Sequence, residues 1–531
     1  MKKIKQIIYL SMFLLLLGAC DKDFVEVNTD PFAINEIDPG LLFANSQRTI
    51  SGGNGWESES TIVQHFVNPY NLGATLAFNF NENIDGFQNS AWGNYTGSIK
   101  TFIHILHLLE TNEEYADMVN LKSMVRIMKA VTFMFVVDHY GDVPYFNAGL
   151  AALEGEEYFY PEYDDDAAIY DDLYKELKEA IAALNPSGDY VSADLFFGAH
   201  GYNSTSNAAD QVAKWKKLGN TFLLDLGLHY TKINPDKAKT IATEAFNGGV
   251  MASSADDVVI IYDGTLYSNG SNGGLINNNP RFYYVAEPFV NQLKNTMDPR
   301  SKYIVASFEN PNEPLNDPDP DLDFASQFGV PVGIIDTELP RGDKGGGKDY
   351  SQLNVNVVAS LSTPDFGTRY SITALLLADA AKRGFIPGGD GAAKQYYEAG
   401  IKADMERYSL ILSETGSSLP PVSAAEMDAY LAQPGVAYDA ANALNQINTQ
   451  YWIACITNGP HAWTRRRITG FPVLATNDFD NQLKVNGGDG YVHRFTYPDA
   501  EASENKANYD AAVAKLNGGI DDLVSRVFWD N

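Results

Sequence analysis

Hydrophobic and polar positions follow a helical period along much of the chain, most clearly in Leu121–Tyr145. In the first half of this stretch apolar residues recur every three or four positions, and basic residues occupy the other face, as in an amphipathic helix. From Val131 to Val137 the polar face disappears. A helix that is apolar all round lies inside a packed protein, and this one is too interrupted by charge to span a bilayer. We therefore predict a central buried helix that ends at Gly141 and Pro144.

The helical period recurs in further segments along the chain. These segments are Asp166–Leu184, Val212–Tyr230, Asp236–Phe246, Tyr370–Lys382, Ala392–Leu412, Asp439–Thr457 and Ala507–Leu516. Paired helices of this length are similar to tetratricopeptide units, which stack into a curved superhelix. Because the tetratricopeptide consensus is absent, the repeat interpretation depends mainly on the family resemblance described below. The pattern itself predicts a mainly α fold.

The composition changes between residues 247 and 365, where glycine, asparagine, proline and aspartate dominate. No strong series of strand patterns runs through this part, so we interpret it as a loop-rich insertion within a single domain of residues 41–531. The run Asp317–Asp323 offers alternating carboxylates but lacks the glycine and the terminal glutamate of an EF-hand. We interpret it as an exposed acidic loop, with calcium binding as the alternative, and predict no other cofactor.

Residues 1–19 have the pattern of a secretory signal peptide, with three lysines at the start and an apolar core after them. The segment Leu17–Cys20 matches a lipoprotein box, in which the thiol of Cys20 accepts a lipid. An ordinary cleaved signal peptide is the alternative. We predict that residues 20–40 form a lipidated tether. Cys455 is the only other cysteine, so no disulfide forms in the mature chain once Cys20 is alkylated.

Several motifs occur in order along the chain. The central helix ends in Asp138–Tyr145 (DHYGDVPY), and Asn28–Pro31 (NTDP) lies near the start of the mature chain. Asp298–Arg300 (DPR) lies mid-chain, and Trp463–Arg467 (WTRRR) and Arg494–Pro498 (RFTYP) lie near the end. With the lipoprotein box, these motifs resemble those of the SusD/RagB family of outer-membrane nutrient-binding lipoproteins, in particular the SusD-like branch with the N-terminal NTDP motif. The resemblance covers nearly the whole chain.

The resemblance implies both a fold and a function. Members of this family are non-enzymatic lipoproteins with a tetratricopeptide-like helical scaffold and a large loop-rich, ligand-facing region. They capture a nutrient at the cell surface and deliver it to a SusC-like TonB-dependent transporter, on which they act as a lid. For this chain the resemblance implies anchoring in the outer membrane through lipidated Cys20. An oligosaccharide is the expected cargo, and a peptide or another small nutrient is the alternative.

The resemblance also places the ligand-contacting loop just before the helix that starts near Ser98. Trp92, Asn94 and Tyr95 lie there, and they combine rings that suit the apolar faces of sugars with an amide that suits hydroxyl groups. A second candidate group follows an asparagine-rich turn in the insertion: Arg281, Phe282 and Tyr283. For both groups, packing of the rings against the scaffold is the alternative.

Charge and motifs limit the other functions that the chain can have. The net charge of −30 repels nucleic acid, so we predict no nucleic-acid partner. No zinc-protease motif, nucleophile elbow or cysteine–histidine pair is recognisable. The two carboxylates of a glycosidase are defined in space rather than in sequence, so a surface glycoside hydrolase is one alternative. A purely structural surface protein is another. We predict a binding protein and not an enzyme.

Overall fold

The computed structural model describes residues 37–50, 56–67, 91–277, 284–311, 313–317, 319–332, 350–476, 483 and 487–531. The described part is mostly helical, as the sequence predicts. Some residues singled out in the sequence lie outside the described residues: Cys20, the NTDP motif, Arg281, Phe282 and Tyr283. Lipidation of Cys20 and ligand contacts by Arg281, Phe282 and Tyr283 stay predictions.

Helices form the main body of the described chain. The α-helices are α1 (Pro39–Ile50), α2 (Trp56–Ile62), α3 (Lys100–Thr111), α4 (Val119–Tyr140), α5 (Ala151–Glu154), α6 (Asp166–Ala183), α7 (Ala208–His229), α8 (Pro235–Gly248), α9 (Gly270–Asn277), α10 (Glu287–Asn295), α11 (Ser301–Ile304), α12 (Tyr370–Lys382), α13 (Gly389–Glu406), α14 (Tyr408–Thr415), α15 (Ala424–Leu431), α16 (Ala443–Ala454), α17 (Gly459–Thr469), α18 (Asp499–Glu504) and α19 (Lys506–Val513). The predicted pairing of helices is confirmed, because α7 packs on α8 and α12 packs on α13. The predicted helix Ala392–Leu412 is interrupted at Arg407, between α13 and α14.

Short strands form two small antiparallel sheets. The strands are β1 (Phe66–Val67), β2 (Val259–Ile260), β3 (Tyr284–Val285), β4 (Val305–Ala306), β5 (Gln352–Leu353) and β6 (Asp365–Phe366). One sheet has the order β1-β3-β5-β4, and the other pairs β2 with β6. One cluster of buried apolar residues extends from Phe43 to Trp529. The division into a signal peptide, a tether and a single domain with an insertion stays a prediction.

Both ends of the central helix α4 are stabilised. A carboxylate distant in sequence binds its start, and a glycine with positive φ ends it. At its start, the backbone N–H groups of Asn120 and Leu121 donate to the carboxylate of Asp189, at 2.6 and 3.1 Å. These are N–H groups that a helix leaves without internal partners. At its end, Gly141 has φ of 80° and donates its N–H to Val137 O at 2.8 Å. A side chain at this left-handed position would be strained, which explains why glycine ends the helix.

The C-terminal part of the chain binds the last carbonyl groups of α4, which also lack partners within the helix. Each of these carbonyls accepts from a separate donor: Asp138 O from Arg467 Nη1 at 2.8 Å, His139 O from the Phe495 N–H at 2.7 Å, and Tyr140 O from Arg494 Nε at 3.2 Å. The DHYGDVPY, WTRRR and RFTYP motifs therefore meet at one place. Their co-occurrence in the sequence reflects the closure of the fold.

The side-chain carboxylate of Asp138 accepts further hydrogen bonds at the same place. Its carboxylate accepts from the Tyr170 hydroxyl, from Trp529 Nε1 at 3.2 Å and from His229 Nε2 at 3.3 Å. Burial by itself raises the pKa of this carboxyl group, but the charge of His229 outweighs it and holds the pKa below its usual value. The carboxylate therefore joins α4, α6, α7 and the C-terminal residues as a buried ionised group.

Two residues of α4 differ from the full burial that the pattern from Val131 to Val137 predicts. Val131 and Phe135 are only half-buried, because both line an internal cavity. Phe133 is 1% exposed, and its ring packs against that of Tyr145 at 4.7 Å. One apolar face of the helix is thus a cavity wall.

This difference gives an expected order of stability for two variants. We expect Phe133→Ala to lower the free energy of unfolding by about 3–5 kcal/mol, because it removes a fully packed ring. We expect Phe135→Ala to lower it by less, because that ring already borders empty space. Urea unfolding measures both values. Equal losses, or a larger loss for Phe135→Ala, would contradict the assignment of the cavity wall.

Candidate functional site

Trp92 and Tyr95 lie together on short helical turns before α3, but their rings pack against the scaffold. The two ring centroids are 5.0 Å apart, and the Trp92 ring also contacts the rings of Tyr140 and Tyr497 at 5.1 and 6.0 Å. The Tyr95 hydroxyl donates to Pro144 O at 2.6 Å. Both side chains are half-buried and hold this segment on the C-terminal end of α4. Their role in binding a ligand stays a prediction.

Asn94 is separated from these rings and lines the internal cavity. Its amide donates to Ala91 O at 2.8 Å and accepts from the Ser98 hydroxyl at 3.2 Å. These bonds fix the orientation of the amide. The structure thus brings Trp92 and Tyr95 together and places Asn94 on the cavity wall.

The cavity lies between α4, α7, α16, α17 and the loop that runs from β6 to α12. Its volume is about 220 Å³. A buried water needs on the order of 10–15 Å³ of such space, so the cavity could hold roughly 15–20 water molecules. The cavity is therefore large enough to admit a sugar residue.

Apolar side chains form a large part of the cavity wall. α4 contributes Met128, Val131 and Phe135, α7 contributes Phe222, and α17 contributes Ile468. Such side chains offer carbon–hydrogen and ring surfaces, which pack well against the apolar faces of a ligand.

Asparagine side chains from the glycine- and asparagine-rich segment line another part of the wall. Asn269 donates to Thr363 O at 3.0 Å and accepts from the Asn272 N–H at 3.2 Å. Asn272 donates to Val358 O and Ser360 O at 3.1 and 2.8 Å. The amides are therefore held by the backbone of the β5–β6 connection. An oriented amide is a suitable partner for a ligand hydroxyl.

Three guanidinium groups also border the cavity, and each has at least one protein partner. Arg407 Nε binds Asp404 at 2.7 Å, and Arg465 Nη2 lies 2.7 Å from Asp379. Arg369 bonds to the Ser371 hydroxyl at 3.1 Å and to backbone carbonyl groups. Because two of the three are paired with carboxylates, the cavity is not a strongly cationic site.

Three more side chains line the same cavity and, unlike the arginines, lack protein partners: Asp225, Tyr451 and His461. Within the described ranges, the side-chain polar atoms of these residues have no hydrogen-bond or ion-pair partner. Burial raises the pKa of the Tyr451 hydroxyl well above its usual value, so it remains a donor. The surrounding protein desolvates His461 and lowers its pKa, so its ring is neutral near pH 7 and can both donate and accept. Tyr451 is buried, Asp225 is half-buried and His461 is exposed, so these side chains line the cavity as groups that a ligand can reach.

The backbone at the cavity adds a second sign of a binding site. Thr457, which lies between α16 and α17 and lines the cavity, has φ of 65°. A β-branched residue rarely adopts this conformation, because its side chain crowds the backbone. Strained residues persist where the surrounding structure holds them, and they concentrate at binding sites.

The unpartnered residues were not among the site residues predicted from the sequence, although one of them lies in a recognisable pattern. Asp225 interrupts the apolar run FLLDLGL in α7, and a charge in such a run suggests a functional or paired group. Tyr451 and His461 lie in helices α16 and α17 and carry no comparable signal. Asn269 and Asn272 belong to the loop-rich insertion, for which the family resemblance implies a ligand-facing surface without naming these residues.

Within the described residues of the run Asp317–Asp323, carboxylates are engaged by the backbone. Carboxylates there accept backbone N–H groups, such as those of Glu309 and Ala325 at 3.0 and 3.1 Å. In the described part of the chain, the carboxylates close enough to share an ion are Asp142, Asp165 and Asp166. Lys515 neutralises Asp142 at 2.7 Å, and burial raises the pKa of Asp166 to about 7. Calcium binding at this run stays the untested alternative to an exposed acidic loop.

A helical body that encloses a cavity with apolar walls and unpartnered polar groups has the features of a small-molecule binding protein. The SusD-like family, described as starch-binding and associating with the outer membrane, matches residues 31–498. The chain belongs to this family. The resemblance noted from the motifs is therefore confirmed, and the fold is the helical SusD-like fold.

Solved structures support this assignment. A chitin-binding protein is 27% identical, with 93% of this chain and 100% of that chain covered and a TM-score of 0.74. A Bacteroidetes SusD-like protein, AC2a, is 22% identical over 93% of this chain and 100% of its own, with a TM-score of 0.75. A chitin-binding SusD homologue from Flavobacterium johnsoniae is 20% identical over 93% of this chain and 97% of its own, with a TM-score of 0.65.

One further comparison and one property of the helices complete this description. No curated protein matches the chain. In the described residues, no helix has both the length and the apolar character needed to cross a membrane. Association with the outer membrane is a property of the family.

Proposed function

We propose that this protein binds an oligosaccharide in the cavity between α4, α7, α16 and α17 and delivers it to a partner TonB-dependent transporter in the outer membrane. The observation that carries the proposal is the cluster of unpartnered polar groups on an otherwise largely apolar wall. A sugar presents apolar faces and hydroxyl groups together, so it suits this combination. Membership of a starch-binding family and the likeness to a chitin-binding protein support the choice of a glycan over a peptide.

The proposed function is binding without cleavage. A glycosidase needs two carboxyl groups on either side of the bond that breaks. The carboxylate of Asp138 is occupied by Tyr170, Trp529 and His229, and Asp365 is engaged in a contact of its own. Among the described residues that line the cavity, Asp225 is thus the carboxylate left to meet a ligand. A single such group binds a sugar without supplying both roles of a glycosidase.

The position in the cell follows from the family and from the predicted lipoprotein box. We propose that lipid on Cys20 holds the protein at the outer membrane and that the rigid helical body moves as a lid on a SusC-like transporter. The family's association with the outer membrane supports this arrangement. Recovery of a large β-barrel protein with this chain, after mild extraction of native membranes, would support delivery. Recovery of this chain alone would contradict it.

The binding proposal is tested by filling the cavity. Titration calorimetry with maltoheptaose and with chitohexaose, each against the full chain, should show saturable binding of at least one of them. Val131→Trp places a large ring in the cavity and should abolish that binding. Val119→Trp adds the same ring to an exposed position of the same helix and should leave binding unchanged. Thermal melting of both variants shows whether each one folds.

Three results would contradict the proposal. Retained binding in folded Val131→Trp would show that the sugar does not enter the cavity. Binding of trialanine with no binding of either oligosaccharide would favour the peptide alternative. Release of shortened sugars during the titration would show a hydrolase.

A further inference from the structure

We propose that the ligand of this cavity carries acetamido groups, as in a glycan of N-acetylated amino sugars, and that Asn458, Tyr451 and Asp225 recognise such a group. This inference rests on the proposed function and adds the substrate class to it. An acetamido group combines an N–H donor, a carbonyl acceptor and a methyl group within a few bonds. The cavity wall around the start of α17 offers a partner for each of the three.

Asn458 is the residue before α17, but its side chain does not cap that helix. Asparagine is favoured at this position because its side-chain oxygen accepts from an N–H group of the first turn. Asn207 caps α7 in this way by accepting from the Asp210 N–H at 3.0 Å, and Asn234 caps α8 by accepting from the Lys237 N–H at 3.1 Å. Asn458 instead lines the cavity with a half-buried side chain, and among the described residues its amide has no hydrogen-bond partner. The amide is therefore available to a ligand.

The residues on both sides of Asn458 hold its backbone in place. A Cβ atom at Gly459 would lie 2.2 Å from Ser60 N, so only glycine lets α17 begin this close to α2. On the other side, Thr457 is held at the positive φ described above. A backbone that is fixed before the ligand arrives has less freedom to lose on binding, which favours affinity.

Tyr451 is an independent sign that this part of the cavity binds a ligand. It lies on α16, is 3% exposed and lines the cavity, and in the described part of the chain its hydroxyl group has no partner. A polar group at this depth is expected to have a hydrogen-bond partner. Because it keeps its proton at neutral pH, the hydroxyl group joins the Asn458 amide as a donor. Two such donors suit the carbonyl oxygen of an acetamido group.

Asp225 supplies the acceptor that the same group needs. Its charge partly opposes the desolvation that lowers the pKa of His461 and adds to the desolvation that raises the pKa of Tyr451, so it lies near both. It is half-buried and lines the cavity, and among the described residues no donor reaches its carboxylate. One of its oxygens can therefore accept from the acetamido N–H, while the other accepts from a neighbouring hydroxyl group.

Apolar side chains beside these polar groups suit the methyl group. Ile456 lies just before the α16–α17 turn and Ile468 lies on α17, and both line the cavity. A hydroxyl group in place of the acetamido group has one oxygen and no methyl group, so it leaves some of these partners unused. A site built around the polar groups of one ligand discriminates against an analogue that leaves them unpaired. The cavity therefore favours acetamido sugars over plain hexoses.

The substrate class is tested with three hexasaccharides that share one backbone and differ in a single substituent on each sugar. Chitohexaose carries acetamido groups, cellohexaose carries hydroxyl groups, and the fully deacetylated chitosan hexamer carries amino groups. In titration calorimetry against the full chain, we expect chitohexaose to bind at least tenfold more tightly than either of the others. Equal or tighter binding of cellohexaose, of the chitosan hexamer or of maltoheptaose would overturn this inference and leave the proposed function intact. Failure of every glycan to bind would instead overturn the proposed function.

The residues are tested by two substitutions and a matched control. Asn458→Ala should weaken chitohexaose binding several-fold and leave the melting temperature unchanged, because the side chain makes no bond within the described protein. Asn234→Ala removes a working helix cap, so it should lower the melting temperature and leave binding unchanged. Tyr451→Phe should weaken chitohexaose binding several-fold without lowering the melting temperature.

The preference for chitohexaose over cellohexaose separates recognition of the acetamido group from a structural role. It should fall in both Asn458→Ala and Tyr451→Phe and stay unchanged in Asn234→Ala. Folded Asn458→Ala and Tyr451→Phe proteins that keep the full preference would overturn the inference. Binding of trialanine without binding of chitohexaose would also overturn it, because the amide recognised would then be that of a peptide.

Discussion

Asp138→Ala is expected to lower the free energy of unfolding by about 3–5 kcal/mol, the range seen when one partner of a buried ion pair is removed. The substitution leaves the Tyr170 hydroxyl and Trp529 Nε1 without their acceptor. It also leaves His229 without the charge that raises its pKa, so a buried imidazole must give up its proton. Urea unfolding of the purified full chain measures the change.

A surface carboxylate provides the matched control for Asp138. Asp510 pairs with Lys506 at 2.8 Å on α19, and both side chains are more than half exposed. Asp510→Ala should change the free energy of unfolding by less than about 1 kcal/mol, because solvent screens exposed pairs. If Asp138→Ala were no more destabilising than Asp510→Ala, the carboxylate would not be the group that joins α4 to the C-terminal residues.

Arg300→Met is the second substitution with a large expected effect. Arg300 is fully buried, and its guanidinium binds Asp298 at 2.6 Å, Asp404 at 2.8 Å and Gln450 at 2.7 Å. Although burial by itself raises the pKa of Asp404, Arg407 and Arg300 lower it to about 2, so this carboxylate is ionised at neutral pH. Removing the guanidinium leaves buried charge uncompensated, and we expect a loss of about 3–5 kcal/mol.

Arg300→Lys separates charge from geometry in the same position. A lysine keeps the positive charge but lacks the planar fork that reaches two carboxylates at once. We expect it to be less destabilising than Arg300→Met but still clearly worse than the unmodified protein, as measured by thermal and urea unfolding. Equal stability of the arginine and lysine forms would show that the fork is not needed at the DPR motif.

The sequence predicted the scaffold well because its signals are local. The apolar stretch before Gly141 marked α4, and period and turn residues placed α6, α7, α8 and α12 within a few residues of their observed ends. The motifs of the resemblance were recognisable because they meet at the end of α4 and must fit one another. The prediction that Val131 and Phe135 are fully buried was wrong, because periodicity does not distinguish a packed face from a cavity wall.

The candidate site was less predictable because its residues converge from distant parts of the chain. Asp225, Tyr451 and His461 lie on three helices, and no sequence spacing joins them. The segment around Asn94 was located from the resemblance, but the directions of its side chains were not. Trp92 and Tyr95 pack on Tyr140 and Pro144, whereas Asn94 lines the cavity, and only the tertiary structure separates these environments.

The most direct test of sugar binding in the cavity is a crystal structure of the full chain grown with the oligosaccharide that it binds. We expect electron density for a sugar between α4, α7 and α17, with its hydroxyl groups within hydrogen-bond distance of Asp225. Density for the sugar on the outer surface, for example against Trp92, with no sugar in the cavity, would contradict it.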